Sequence, residues 1–254
     1  WPLPAMAPLA HTLALLAMAV ATTAIKVLPL DMARDSFDDQ YQGCGPAMTA
    51  ALPALNRFEF QRNPHFAWVW PQAAEQWQKQ GSRLVPLAFP AQAIAVMAYT
   101  MTDMHKEFNN AVSTAGHSPR KYRDNFHFKT LHFLLTQALL TLKGAQNGQC
   151  HRVFRGVSDV HYIARRGQRV RFGQFISASL SNETAQEFGT DTIFQVTTCH
   201  GADIRQFSMY PTEEEVLIPP FETFEVTDII YDGRRAWISL RSAGTFSKYN
   251  CEWL

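Results

Sequence analysis

Residues 127–157 read HFKTLHFLLTQALLTLKGAQNGQCHRVFRGV, and the change of period within that stretch decides the fold. From His127 to Lys143, Phe128, Leu131, Leu135, Ala138 and Leu142 recur at three- and four-residue steps. That is one apolar face of a helix, which Gly144 is placed to close. Past Cys150 the helical period stops, and Val153-Phe154-Arg155-Gly156-Val157 reads as an apolar strand holding one arginine. Upstream, further helices are expected over Pro64–Gln80, with Pro71 breaking or kinking it, and over Ala91–Tyr99. A less regular pattern offers another over Asp31–Tyr41. Downstream, strands are expected over Thr192–Thr198, Val216–Pro219, Phe221–Tyr231 and Arg234–Arg241. In the last of these, Ala236, Ile238 and Leu240 alternate with Arg235, Trp237 and Arg241. One short helix, Glu183–Phe188, interrupts the strands, with Ser181 or Asn182 as its cap. Helices first and strands later imply an α+β fold. The reading is a single domain over 25–254, mainly helical over 25–149 and mainly β over 150–254.

The chain has 254 residues and a formal net charge of +1, which argues against a nucleic-acid-coating protein. An apolar run from Thr12 to Ala24, with Ala19-Val20-Ala21 as an A-x-A site and Thr22-Thr23-Ala24 as a second choice, reads as a signal peptide over 1–24. The residues before Met6 are then extra to it. The run is short for a bilayer span, so no stable membrane span is expected in the mature chain, and the protein is expected to be secreted. No apolar tail follows Cys251-Glu252-Trp253-Leu254, so no lipid anchor is expected. Four cysteines, Cys44, Cys150, Cys199 and Cys251, suggest two disulfides in an exported chain; three pairings are possible and spacing does not choose among them. Their spacing is not that of a zinc site, and no metal is expected. One glycosylation sequon occurs, Asn182-Glu183-Thr184.

Common catalytic signatures are missing: no G-x-G-x-x-G, Walker A loop, H-E-x-x-H or G-x-S-x-G occurs. The unusual segment is Tyr210-Pro-Thr-Glu-Glu-Glu-Val-Leu-Ile-Pro-Pro220, where three acids run into an apolar strand. On a strand, Glu213 and Glu215 project to one side and Glu214 to the other. Alone, this reads better as a solvated acidic turn before a core strand. Arg155 changes the weighing, because an arginine in an apolar strand needs an anion or carbonyl partners, and Gly156 beside it permits close approach of a ligand. Phe175–Leu180 adds Ser177 and Ser179 on one face of a further strand.

An arginine, a Ser-x-Ser strand and a Glu-x-Glu in that order resemble the R–S–E triad of vertebrate arginine-specific ecto-ADP-ribosyltransferases. Tyr99-Thr100, Phe108-Asn109, Leu131-His132-Phe133-Leu134-Leu135, Phe154-Arg155-Gly156, Val170-Arg171-Phe172-Gly173-Gln174-Phe175 and Glu215-Val216-Leu217-Ile218-Pro219 extend the resemblance over Asp31–Leu254. The secreted bird enzymes are the most similar in character. The resemblance implies a helical part packed on a β-sandwich that binds NAD, or NADP, as co-substrate without a metal. It implies that Arg155 grips the NAD phosphates and Gly156 offers backbone to the nicotinamide amide. Ser177 orients the catalytic glutamate, and Phe188 stacks on nicotinamide or packs in the core. Glu215 stabilises the oxocarbenium ion, and Glu213 orients the acceptor: arginine in target proteins or a small guanidino compound. Arg205–Thr212 forms the acceptor-facing rim. The pairings implied are Cys44–Cys251 and Cys150–Cys199. Phe154 stands where the family commonly has Tyr, and Ala178 where it has Thr. The alternatives are a protein that mainly hydrolyses NAD and a catalytically silent secreted binding domain on the same scaffold.

Overall fold

The computed structural model describes residues 25–101, 104–233 and 235–252. The signal-peptide expectation over 1–24 lies outside them. A short strand, β1 (Lys26–Pro29), precedes six helices: α1 (Gly45–Arg62), α2 (Pro64–Lys79), α3 (Pro90–Thr100), α4 (Met104–Ala115), α5 (Pro119–Asn125) and α6 (Lys129–Ala145). Four of the six, α1, α2, α3 and α5, carry proline in their first two positions, where the missing N–H has no intrahelical partner to lose. Asn63 ends α1, and its side chain accepts from the Phe66 amide to start α2. Pro71 lies inside α2 without ending it. Gly144 likewise lies within α6; the chain turns instead at Asn147 and Gly148, with φ of 59° and 63°. The buried Glu59 of α1 accepts hydrogen bonds from the Lys129 and Thr130 amides, so an acid from one helix satisfies the positive end of another.

The strands are β2 (His151–Val157), β3 (Val160–Ile163), β4 (Arg169–Arg171), β5 (Ile176–Ser179), β6 (Thr192–Thr198), β7 (Ala202–Asp203), β8 (Glu215–Ile218), β9 (Glu222–Tyr231) and β10 (Ala236–Thr245). Helix α7 (Asn182–Glu187) follows β5, with Ser181 as its cap. β1 and β3 form a small parallel pair, and the others form one mixed sheet in the order β4-β9-β10-β6-β2-β5-β8-β7. β2 pairs with β6 along its whole length but meets β5 only at Phe154↔Ser179. The sheet therefore splays at β2/β5. Its two halves fold toward each other, and Val153, Val170, Ile176, Phe194, Val216, Phe224 and Ile238 share one apolar core between them. Leu217, alternating with Val216 and Ile218, points the other way into a second core with Phe175, Phe207 and the helices. The helical part thus packs directly against the β5–β8 half, beside the splay.

Asp31–Tyr41 is not a helix. Ala33 and Tyr41 adopt positive φ, and Ser36, Asp38 and Asp39 are buried. Asp38 forms a fully buried ion pair with Arg171 of β4 and accepts from the Lys248 and Tyr249 amides. The segment's polar residues face inward to bind other parts of the chain, and a helix would leave those groups unpaired. The disulfides are Cys44–Cys251 and Cys150–Cys199, separated by 207 and 49 residues. Chain entropy values closing loops of that size at about 5 and about 4 kcal/mol. The second joins the start of β2 to the end of β6, the two strands that carry the arginine's wall of the splay.

Candidate active site

The splay between β2 and β5 opens into a cleft of about 540 Å³. Arg155 and Gly156, Ser177 and Ser179, Phe188, and Glu213 and Glu215 all line it. The sequence placed these residues on four separate segments, and the fold gathers them. Arg155 spans the gap, its Nη1 donating to the Ser177 carbonyl at 2.7 Å, so the guanidinium is held at the point where the ladder fails. Ile176 and Ala178 point into the sandwich core, which leaves Ser177 and Ser179 on the cleft face. The Ala178 departure therefore alters only the core side.

Glu215 is 5% exposed. Burial pushes its carboxyl up to about 7, against a hydrogen bond from Ser177 that lowers it; the Glu213 charge raises it further, and Ser208 and Arg155 lower it. Ser208 Oγ lies 3.3 Å from Glu215 Oε2. Tyr99 stands behind the glutamate. Its hydroxyl donates to the Phe175 carbonyl at 2.8 Å, and it is pushed up to about 12, by burial first and then by the Glu215 charge. Asn109 completes this support, bonding both the N–H and the C=O of Phe175, at 3.1 and 2.8 Å, as a neighbouring strand would. Thr100 at the end of α3 accepts from the Met209 amide at 2.9 Å, which ties the helical part to the Arg205–Thr212 loop.

Glu213 and Glu215 do not share a strand face, contrary to the two-residue period. Pro211–Glu213 is a single 3₁₀ turn, Glu214 takes a left-handed conformation (φ 50°, ψ 46°), and only Glu215 begins β8. Pro211 at the start of the turn favours the tight helical conformation. The reversal at Glu214, and not strand alternation, brings both carboxylates to the cleft. The Glu213 carboxyl is also raised, by burial first and then by the Glu187 charge of α7.

Gly156 has a local packing reason as well. A Cβ there would lie 2.2 Å from the Gly189 carbonyl oxygen and 2.3 Å from that of Ala185, so the missing side chain makes room for the end of α7. That packing sets Phe188 at the mouth of the cleft, 56% exposed and outside the core. Tyr210 on the Arg205–Thr212 loop is exposed on the same cleft. Tyr99, Thr100 and Asn109 received no role from the sequence, and Ser208 and Tyr210 only a place on the Arg205–Thr212 rim. Tyr99-Thr100 and Phe108-Asn109 stood out there as matched segments, but nothing in their residue types announces support for a distant strand.

A family model described as NAD:arginine ADP-ribosyltransferase matches residues 30–248. The chain belongs to that family. It is 51% identical over 233 residues to the erythroblast NAD(P)(+)--arginine ADP-ribosyltransferase of Gallus gallus, covering 91% of this chain and 77% of that one. It is 49% identical over 240 residues to the GPI-linked NAD(P)(+)--arginine ADP-ribosyltransferase 1 of Mus musculus, covering 89% and 73%. The crystal structure of the mono-ADP-ribosyltransferase ART2.2 superposes with a TM-score of 0.77 at 38% identity, covering 88% of this chain and 98% of that one. A mutant of ART2.2 solved in complex with NAD superposes at 0.76. As a member of the arginine ADP-ribosyltransferases, the chain has the α+β transferase fold expected from its helix-then-strand order. Among its described residues, no helix is long and apolar enough to cross a membrane.

The displaced carboxyl of Glu215 makes a pH prediction. For a step that uses the Glu215 carboxylate, kcat/KM for NAD in the free protein is expected to reach half its maximum near pH 7 and to fall about tenfold per pH unit below it. A profile flat from pH 5 to 8 would place Glu215 in a more polar setting than this one.

Proposed function

We propose that this transferase cleaves the bond between nicotinamide and ribose in NAD and passes ADP-ribose to an arginine guanidinium. The observation that carries the reading is the convergence of Arg155, Ser177 and a buried Glu215 on one cleft, with Glu213 and two exposed aromatic rings at its mouth. Arg155 suits the NAD phosphates because a guanidinium fork matches phosphate oxygens. Gly156 faces the cleft through its backbone, and its peptide groups fit the nicotinamide amide. Phe188 offers the ring an exposed flat surface. As the glycosidic bond breaks, its electrons leave with nicotinamide and positive charge develops on the ribose. The Glu215 carboxylate, oriented by Ser177, stabilises that charge where it appears. Glu213 takes the guanidinium and aims one nitrogen at the ribose carbon. The nitrogen attacks the face opposite the departing nicotinamide, inverting the carbon, and its proton leaves to the carboxylate or solvent. NADP fits the same chemistry.

The two disulfides fit an oxidising compartment, and we infer that the mature chain acts outside the cell or in the secretory lumen on arginine-bearing proteins. Asn182 opens α7 near the mouth of the cleft, and a glycan on it would border the acceptor approach.

Glu213→Gln separates the two halves of the reaction. Arginine transfer, read with agmatine, is expected to fall about ten- to a hundredfold, the weight of a charge-assisted two-point bond, while NAD hydrolysis stays within several-fold. Equal loss of both activities would remove Glu213 from acceptor selection.

A further inference from the structure

The turn that presents Glu213 is held from one place. Ser179, the last residue of β5, is 5% exposed, and its hydroxyl donates to the Glu213 carbonyl at 2.7 Å. The same oxygen accepts from the Ser181 amide at 3.0 Å, and Ser181 caps α7 through the Thr184 amide at 3.1 Å. One residue on, the Leu180 amide donates to the Glu214 carbonyl at 3.1 Å. The end of β5 therefore grips both peptide groups of the reversal and also anchors the helix leading to Phe188. Between the two acids, Glu214 carries a left-handed backbone that a non-glycine residue adopts at a cost, and its carboxylate lies 4.0 Å from Arg205 Nη1. Ser177, two residues earlier on the same face, acts on Glu215 instead, lowering its carboxyl. The two serines of one strand face thus act on different glutamates, Ser179 through a backbone carbonyl.

We propose that Ser179, through its hydrogen bond to the Glu213 backbone and the left-handed turn at Glu214, is the positioning residue for acceptor choice, as Ser177 is for NAD cleavage. This rests on the reading that Glu213 selects arginine. The hydroxyl is engaged by the Glu213 carbonyl and the Ser181 amide. It fixes where the 3₁₀ turn ends, and so where the Glu213 carboxylate meets a guanidinium. Glu215 is held by the backbone pairing of the β5–β8 ladder, which Ser179→Ala keeps, and by Ser208. Loosening the turn moves one acid and not the other.

The test uses the purified chain with NAD and agmatine, measuring transfer and NAD hydrolysis side by side. Ser179→Ala is expected to raise KM for agmatine about five- to tenfold, the weight of one lost hydrogen bond, with a much smaller change in kcat/KM for NAD hydrolysis. Ser179→Thr, which keeps the hydroxyl, is expected to restore most of the difference. Glu214→Gly, which favours the left-handed backbone, should keep transfer, whereas Glu214→Val, β-branched in that region, should lose it selectively. Equal loss of both activities in Ser179→Ala, or no rescue by Thr, would overturn the proposal. So would Glu214→Gly failing as badly as Glu214→Val, because the side chain and not the backbone would then matter. Glu213→Gln, run alongside, tells the two readings apart. If it splits the activities and Ser179→Ala does not, only the positioning role fails; if it does not split them, the selector assignment fails first.

Discussion

Glu215→Gln is expected to lower NAD cleavage by at least about a few hundredfold, the loss of roughly 3–4 kcal/mol of charge stabilisation, and at the same time to make the protein more stable at pH 8. Both effects have one cause. The carboxyl is 5% exposed and displaced from its ordinary 4.5 to about 7, chiefly by burial. Folding therefore favours its protonated form. The stability that form contributes is fully present below pH 4.5 and is lost as pH rises through about 7. Above that, the folded protein carries a buried carboxylate at a cost of about 3 kcal/mol, which a neutral amide does not incur. For a chain of this size, each kcal/mol moves the melting temperature by about 2–4 °C. The variant should melt several degrees higher at pH 8, and the gap should close by about pH 5. Thermal melts across that range check it, alongside nicotinamide release. A variant that is inactive but no more stable at pH 8 would mean that the carboxylate is well solvated and that its loss acts some other way.

Asp38→Ala should have the largest effect on stability. Arg171 is fully buried. Its Nε donates to the Met32 carbonyl at 3.0 Å, Nη2 to that of Ala33 at 2.9 Å, and Nη1 to that of Phe246 at 3.0 Å and to Asp38. Asp38 is the only carboxylate in that set, and it also accepts from the Lys248 and Tyr249 amides at 2.9 and 3.1 Å. Removing it strands a buried guanidinium and two backbone donors. Breaking such a pair from one side costs about 3–5 kcal/mol, or a melting temperature lower by about 10 °C. The pair joins the 31–41 segment, β4 and the residues after β10, so the whole seam should loosen together. Hydrogen exchange at Lys248 and Tyr249 would show it. A drop of only a degree or two would mean that the carbonyls alone suffice for Arg171.

The two predictions mark where the sequence was readable and where it was not. Residues 127–157 gave the switch from helix to strand, because α6 shows a regular apolar face and β2 does not. Strand β6 came out at its observed ends, Thr192–Thr198, from its β-branched run. The Asp31–Tyr41 segment misled because the partners of its buried Asp38, namely Arg171, Lys248 and Tyr249, lie more than 130 residues away. Helix α1 left no clear period, having proline at its start and in its interior and only Met48, Leu55 and Glu59 buried. At the site, residue types and order were legible, and so were the strand faces of Ser177 and Ser179. The geometry of Glu213 was not, since a left-handed Glu214 is a property of the turn that Ser179 and Leu180 hold in place. Gly156, read as space for a ligand, also makes space for α7, which its residue type alone does not announce.

The central claim is that the cleft moves ADP-ribose from NAD to a guanidinium with inversion. The most direct test is to incubate the purified chain with NAD and agmatine and follow products by mass and by proton NMR of the ribose anomeric position. ADP-ribosyl-agmatine is expected to appear first as the α-anomer, in step with nicotinamide release. Nicotinamide released with only free ADP-ribose, or a β-linked adduct formed first, would contradict it.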